Sequence, residues 1–91
     1  MRFEWDERKA AANLRKHKVS CTEAVSVFYD PLSATGDDPD HPIDERRFVT
    51  FGISASGRLL AVSHSDRDDA IRIISARPVT PVERSIYEDI R

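Results

Sequence analysis

Four side chains sit where strand alternation makes them costly to place, and they are the ones that could do chemistry. Arg47 is in phase with Val49 and Phe51, and His64 with Leu60 and Val62. In the isoleucine-rich run that follows, Arg72 is in phase with Ile74 and Ala76, and Arg77 with Ile71, Ile73 and Ser75. A guanidinium among strand apolars is unfavourable unless an anion meets it. A cluster of Arg47, Arg72 or Arg77 with His64 would grip a phosphate through paired N–H donors and set a proton-transfer group beside it. The structural alternative is that the arginines pair with Asp66, Asp68, Asp69 or Glu83 at strand ends.

Other candidates carry less chemistry. His17 shares a helix face with Leu14 and reads as a packed, hydrogen-bonded histidine. Asp37, Asp38, Asp40 and His41 lack the spaced ligands, glycine and terminal glutamate of a calcium loop, so they read as a solvated loop and no metal or other cofactor is expected. Cys21 stands at a helix start with no base in view, as an incidental small residue. Phe3 and Trp5 read as core anchors, although an exposed Trp5 would be able to stack on a base.

The elements that must position these groups follow from periodicity and punctuation. Arg2 to Trp5 is a short strand, and Asp6 caps a helix from Glu7 to His17 with Ala10, Leu14 and His17 on one face. Ser20 and Glu23 have the capping-box spacing before a second helix carrying Ala24, Val25, Val27 and Phe28, which stops before Asp30-Pro31. The short link between the two helices predicts a helical hairpin. Leu32 to Asp44 begins as an edge strand and continues as an acidic loop. Arg46 to Ile53 and Arg58 to His64 flank the turn Ser54-Ala55-Ser56-Gly57, and Ala70 to Arg77 is the next strand. Thr80 and Glu83 form a second capping box, and Val82, Ile86 and Ile90 mark the buried stripe of a last helix. The expected fold is α+β: a short N-terminal strand, two helices, a three- to four-stranded antiparallel sheet and a C-terminal helix, with the helices covering one sheet face.

Length and charge narrow the function classes. At 91 residues the chain is a single domain, 1–91, with 40% apolar and 33% charged residues. No apolar run reaches the roughly 20 residues of a membrane span, and the N-terminus has no signal-peptide core. One cysteine builds neither a disulfide framework nor a thiolate zinc site. A cytoplasmic protein is expected. The net charge of −2 conceals +3 over residues 1–19, −7 over 20–45, +3 over 46–77 and −1 over 78–91. That balance argues against general adhesion to nucleic acid but allows a local basic surface if the first and third segments share a face. Lys16, His17, Arg46 and Arg67, drawn from those segments, are the candidate residues of such a nucleic-acid-binding surface.

The order of short words along the chain resembles one family. Phe3-Glu4-Trp5-Asp6, Lys9-Ala10, Asn13, Lys16-His17, Val19-Ser20 and Glu23-Ala24 open the series. Val27-Phe28, Asp30-Pro31, Glu45-Arg46-Arg47-Phe48, Gly52, and Val62 with His64 continue it. Ile71 to Arg77 and the Glu83-Arg84 and Tyr87-Glu88 ending complete it. Together they look like the BrnT toxins of bacterial type II toxin–antitoxin systems, over almost the whole chain. Lys18 stands where the family usually has glycine after the histidine, so the first helix must end on a strained C-cap or terminate differently.

The resemblance implies a RelE-like fold and a ribonuclease that inhibits translation. It also implies a cognate BrnA-like antitoxin that neutralises the toxin in a hetero-oligomer and brings it to operator DNA. By position, it implies catalytic roles for Arg47, His64, Arg72 and Arg77. Tyr87 is similar to an aromatic that RelE-like toxins place near the active site in their last helix. The corresponding mechanism needs no metal: the RNA 2′-hydroxyl attacks its own phosphate, His64 or Tyr87 exchanges protons, and the arginines neutralise developing charge. A different class, an inactive protein-binding module that partners a DNA-binding regulator, would use the acidic stretch and the arginines to dock a protein. A stand-alone DNA-binding regulator ranks behind both, because the second helix carries no basic residue.

Overall fold

The computed structural model describes residues 1–38 and 46–90. In chain order they form β1 (Arg2–Trp5), α1 (Glu7–His17), α2 (Cys21–Val27), β2 (Ala34–Asp37), β3 (Phe48–Ile53), β4 (Leu59–Arg67), β5 (Ala70–Pro78) and α3 (Pro81–Ile90). The strands make one sheet in the order β1-β5-β4-β3-β2, with β1 parallel to β5 and the other pairs antiparallel. The α+β order matches expectation. The expected edge strand is present as Ala34–Asp37, paired with β3, and the sheet gains a fifth strand because β1 docks in parallel on the free edge of β5. Among the described residues no helix is long and apolar enough to cross a membrane.

The helix starts are built from the side chains that the sequence marks. Asp6 accepts from the backbone N–H groups of Arg8 and Lys9, and Ser20 from that of Glu23. The box at Thr80 closes in both directions, with Glu83 N–H donating to Thr80 Oγ1 and Thr80 N–H donating to the Glu83 carboxylate. The box at Ser20 closes in one direction only. Glu23 turns away to accept from Arg58 Nε at 2.9 Å, from Ser54 Oγ at 2.7 Å and from Ser56. A doubly hydrogen-bonded guanidinium outbids a backbone N–H for a carboxylate, and no spacing rule places Arg58 beside Glu23. The same guanidinium donates to the Lys18 carbonyl at 2.7 Å. Lys18 itself ends α1 in the left-handed region, at φ 60° and ψ 33°. That is the strained cap expected where glycine is missing, and Arg58 helps to hold it.

On one sheet face Val19, Ala24 and Val27 close over Leu60, Val62, Ile73 and Ala76, flanked by Phe3, Trp5 and Phe28. The expected face of α1 is corrected: Leu14 is 48% exposed, and Asn13 turns inward instead. Its side-chain amide accepts from Ala76 N–H at 3.1 Å and donates to Ala76 O at 2.9 Å and Val19 O at 3.0 Å. β1 reaches only as far as Ile73, so beyond it the edge of β5 would be bare. The Asn13 amide takes the place of the missing strand there.

Just before that clamp β5 slips. Val62 lies opposite Ala76 and Ser63 opposite Ser75, but His64 lies opposite Ile73 and Ser65 opposite Arg72, which leaves Ile74 as the extra residue of a bulge. Alternation is thereby reset within the strand. Ile71, Ile73 and Ala76 all face α2, while Arg72 and Arg77, expected on opposite faces, share the other one.

That other face is covered in part by α3, so the expectation of all helices on one side is corrected. Phe51, Ala61 and Arg77 lie side by side in register, and α3 sits over them. Arg77 meets Glu83, and Phe51, Ile86 and Tyr87 line a groove of about 200 Å³ with Ala34. Tyr87 is 2% exposed, whereas Val82 and Ile86, the expected buried stripe, are 70% and 58% exposed. The helix is turned by the Arg77–Glu83 pair and by the Tyr87 hydroxyl, which donates to Asp30 Oδ2 at 3.2 Å. Ion pairing and one long amphipathic ring decide its orientation over two aliphatic side chains.

Gly52 lies where α2 comes close against the sheet. A Cβ there would lie 2.9 Å from Val27 Cγ1 and 3.2 Å from the Val27 carbonyl, and backbone does not yield as a flexible side chain does. Gly52→Ala is expected to destabilise the fold by about 1–3 kcal/mol, measured as the shift in urea unfolding midpoint at constant m-value.

Candidate active site

The bulge brings a row of polar residues together across the face away from α1 and α2. Glu4 of β1 lies opposite Arg72 of β5, which lies opposite Ser65 of β4. Arg47 extends the row. It directly precedes β3, its carbonyl accepts from Asp38 N–H in continuation of the β2–β3 ladder, and its neighbour Phe48 stacks on His64 on the other face. Alternation therefore sends Arg47 to the Arg72 side. The row Glu4–Arg72–Ser65–Arg47 crosses three inter-strand gaps, about 14–15 Å, a span that two extended arginines can bridge. Ser65 is only 5% exposed. A serine has little bulk with which to hide itself, and in this row its neighbours are arginine stems.

Arg67 is in phase with Ser65, and Arg2 with Glu4, so both belong to the same face. Arg2 is paired with Asp69 at 3.2 Å on exposed side chains. The basic surface allowed by the charge pattern thus comes from residues 46–77, with Arg2 as the contribution of the first segment. Arg72 touches Glu4 through one contact of 3.4 Å, and the two side chains keep 31% and 35% of their surface exposed. At the far end Arg77 is held by Glu83 through two parallel contacts of 2.7 and 2.8 Å. For Arg77 the structural alternative is realised. The Arg77 guanidinium holds the Glu83 carboxyl down at about 2.

The expected cluster of His64 with the arginines does not form. His64 stays in phase with Leu60 and Val62, as the sequence indicates, and that phase puts it on the α2 side. It is 4% exposed, meets the Phe28 ring edge-on at 4.9 Å and stacks on Phe48 at 5.7 Å. Its Nε2 shares a 2.7 Å hydrogen bond with Thr50 Oγ1, which bonds in turn to Thr35 Oγ1 at 2.7 Å. Burial pushes its imidazole below the ordinary histidine value, with Asp66 opposing, so it is neutral at neutral pH. Tyr87 is likewise buried, with its hydroxyl on Asp30. Both side chains are engaged inside the fold rather than exposed beside the arginines.

The RNA-binding candidates divide in the same way. Arg67 shares the arginine face. Arg46 lies over the Phe48 ring at 5.1 Å and pairs with Asp37 at 3.0 Å, on the His64 side. Lys16 and His17 close α1 beside Lys18, whose carbonyl meets Arg58 at the start of β4, the opposite end of the sheet from Ser65. Among the described residues no group of three or more His, Cys, Asp or Glu is placed to hold a metal. Asp40, His41 and the rest of the acidic stretch from 39 to 45 lie outside the described residues.

The family model for the ribonuclease toxin BrnT of type II toxin–antitoxin systems matches residues 5–83. The chain belongs to the BrnT family. Its fold is similar to the crystal structure of the Brucella abortus ribonuclease toxin BrnT, with a TM-score of 0.65 and 26% sequence identity over 88% of this chain and 97% of that one. Among curated protein sequences none matches the chain. BrnT members are ribonuclease toxins, and their type II systems imply an antitoxin partner. The resemblance read from the short words is thus the correct one.

The two kinds of titrating group separate cleanly by pH. An unfolded histidine titrates near 6.5, above the depressed native value of His64, so the unfolded chain takes up the proton first. Stability is complete above about pH 6.5 and falls below it, by at most about 1.4 kcal/mol per pH unit, until the native value is passed. Glu23 and Glu83, held at about 2 against an ordinary 4.5, lose their contribution only as pH falls from 4.5. Between pH 6.5 and 5 the unfolding midpoint of the wild type should therefore drop. That of His64→Gln, which can still bond Thr50, should stay closer to flat.

Proposed function

We propose that this BrnT protein cleaves RNA without a metal ion, and that Arg47 and Arg72 hold the scissile phosphate over Ser65. The observation that carries this is the transverse row, in which guanidiniums flank a small hydroxyl residue on the sheet face away from α1 and α2. Arg67 and Arg2 extend the charge along the direction a strand of RNA would take. The family's ribonuclease activity supports the choice of phosphodiester over other anions.

The chemistry suits the residues. The 2′-hydroxyl is an internal nucleophile, so the protein must supply charge neutralisation on the phosphoryl oxygens and a way to move a proton. Arginines already fixed on a sheet contribute most when charge develops, because little reorganisation is left to make. DNA lacks the nucleophile. His64 and Tyr87 enter as positioning residues rather than proton carriers. Arg77 becomes available to RNA only if Glu83 is displaced. Cleaving RNA in the cytoplasm would inhibit translation, and a BrnA-like antitoxin would neutralise it by binding, carrying the pair to operator DNA.

A non-enzymatic reading, in which the face docks a protein and cuts nothing, is favoured by one observation: the Arg77 fork is already filled by a carboxylate. Cleavage of purified single-stranded RNA in EDTA decides between them. The wild type is expected to cut RNA and leave DNA intact. Arg72→Ala and Arg47→Ala, each folded by circular dichroism, are expected to lose about 100-fold or more in rate, the scale of one lost charge-stabilising donor. A folded wild type that binds the antitoxin but cuts no RNA would select the binding module.

A further inference from the structure

The proposed chemistry needs a proton acceptor for the 2′-hydroxyl, and the two side chains expected to supply it are buried elsewhere. The acidic residues of the chain differ sharply in how far they are already committed. Glu23 is taken by Arg58, Ser54 and Ser56, and Glu83 by Arg77 and the Thr80 N–H. Asp6 caps α1, and Asp30 accepts from Leu32 N–H, Ile53 N–H and the Tyr87 hydroxyl. Asp37 pairs with Arg46 on the far side of the sheet. Glu4 is different. Among the described residues its one polar contact is the 3.4 Å approach of Arg72 Nη1 to Oε1.

Its placement follows from β1. Phe3 and Trp5 face the core, so Glu4 between them faces out, and the parallel register with β5 sets it opposite Arg72. We infer that Glu4 is the general base of the reaction, an inference that rests on the ribonuclease reading above. The 2′-hydroxyl gives its proton to the Glu4 carboxylate as its oxygen forms the bond to phosphorus. The phosphorus–O5′ bond breaks, the 5′-oxygen takes a proton from solvent water, and Glu4 returns its own proton to solvent. The products are a 2′,3′-cyclic phosphate and a 5′-hydroxyl. Arg72 touches both partners, stabilising the ionised carboxylate and the phosphate beside it, so base and electrophile are oriented by one guanidinium.

The test compares wild type, Glu4→Gln and Glu4→Asp on single-stranded RNA, with kcat and KM measured across pH 4–8. Glutamine keeps an acceptor for Arg72 and the shape of the side chain but cannot take a proton. Glu4→Gln is expected to lose 100-fold or more in kcat with KM within about threefold, and to lose the acid limb of the pH profile that the wild type shows. Glu4→Asp should retain that limb at reduced rate, which a purely structural role for Glu4 would not produce. Equal thermal midpoints establish that the variants are folded. A Glu4→Gln protein that cuts within threefold of wild type, or keeps the acid limb, overturns the assignment while leaving the ribonuclease reading intact. A wild type that cuts no RNA overturns both.

Discussion

The extra residue at Ile74, together with the amide of Asn13 that fastens the strand beside it, decides which side of the sheet every later side chain serves. A strand with unbroken alternation would place Arg72 and Arg77 on opposite faces and send one of them under α2. The slip between Ser63 and His64 lets β5 give Ile71, Ile73 and Ala76 to the core and both arginines to the other face. The other edge of β5 is left bare beyond Ile73, because β1 ends there. Asn13 supplies a peptide-like group at Ala76 and ties the α1–α2 connection to the same point through Val19. Core composition and arginine placement in β5 are consequences of one local register change, and the docking of α1 follows from the early end of β1.

From this follows a division between polar groups that hold the fold and polar groups left to act. Glu23–Arg58 fastens the β3–β4 turn to α2 and the strained end of α1. Arg77–Glu83 and Tyr87–Asp30 fasten α3. His64 is part of the core, with one ring nitrogen on Thr50 and aromatic rings on two sides. Carboxylates and hydroxyls satisfied to this degree stabilise a unique packing, while the second ring nitrogen of His64, Nδ1, is buried with no hydrogen-bond partner among the described residues. The Glu4–Arg72 pair is longer, single and a third exposed. Pairs of that kind contribute little to stability, so their place in the row is better explained by what they can do to a ligand.

Much of this fold was legible in the sequence, because local signals specify local structure. Asp6, Ser20 and Thr80 cap the helices they mark, Gly57 turns the β3–β4 hairpin at φ 83°, and the resemblance to BrnT follows from the order of short words. What could not be read is long-range. No periodicity shows a bulge inside Ile71-Arg72-Ile73-Ile74, where the two consecutive isoleucines fit either phase, so strand phase misassigned Arg72 relative to Arg77. The buried side of α3 was misread because an ion pair and one tyrosine outweigh Val82 and Ile86. Glu4 went unnoticed because its partner lies 68 residues away, across a parallel pairing that no hairpin signal announces. His64 was placed on the correct side by phase and paired with the wrong residues, since faces of different strands cannot be matched without register.

The central claim is that RNA meets the sheet on the arginine face, away from α1 and α2. Its most direct test is a backbone amide chemical-shift map of the protein titrated with a 2′-O-methyl RNA, which lacks the free nucleophile and stays intact. Shifts concentrated at Glu4, Ser65, Arg67 and Arg72, with α1 and its Lys16–His17 end undisturbed, are the predicted result. Shifts concentrated instead at Lys16, His17 and the surroundings of Arg46 and His64, with the Glu4–Arg72–Ser65 row silent, would contradict it.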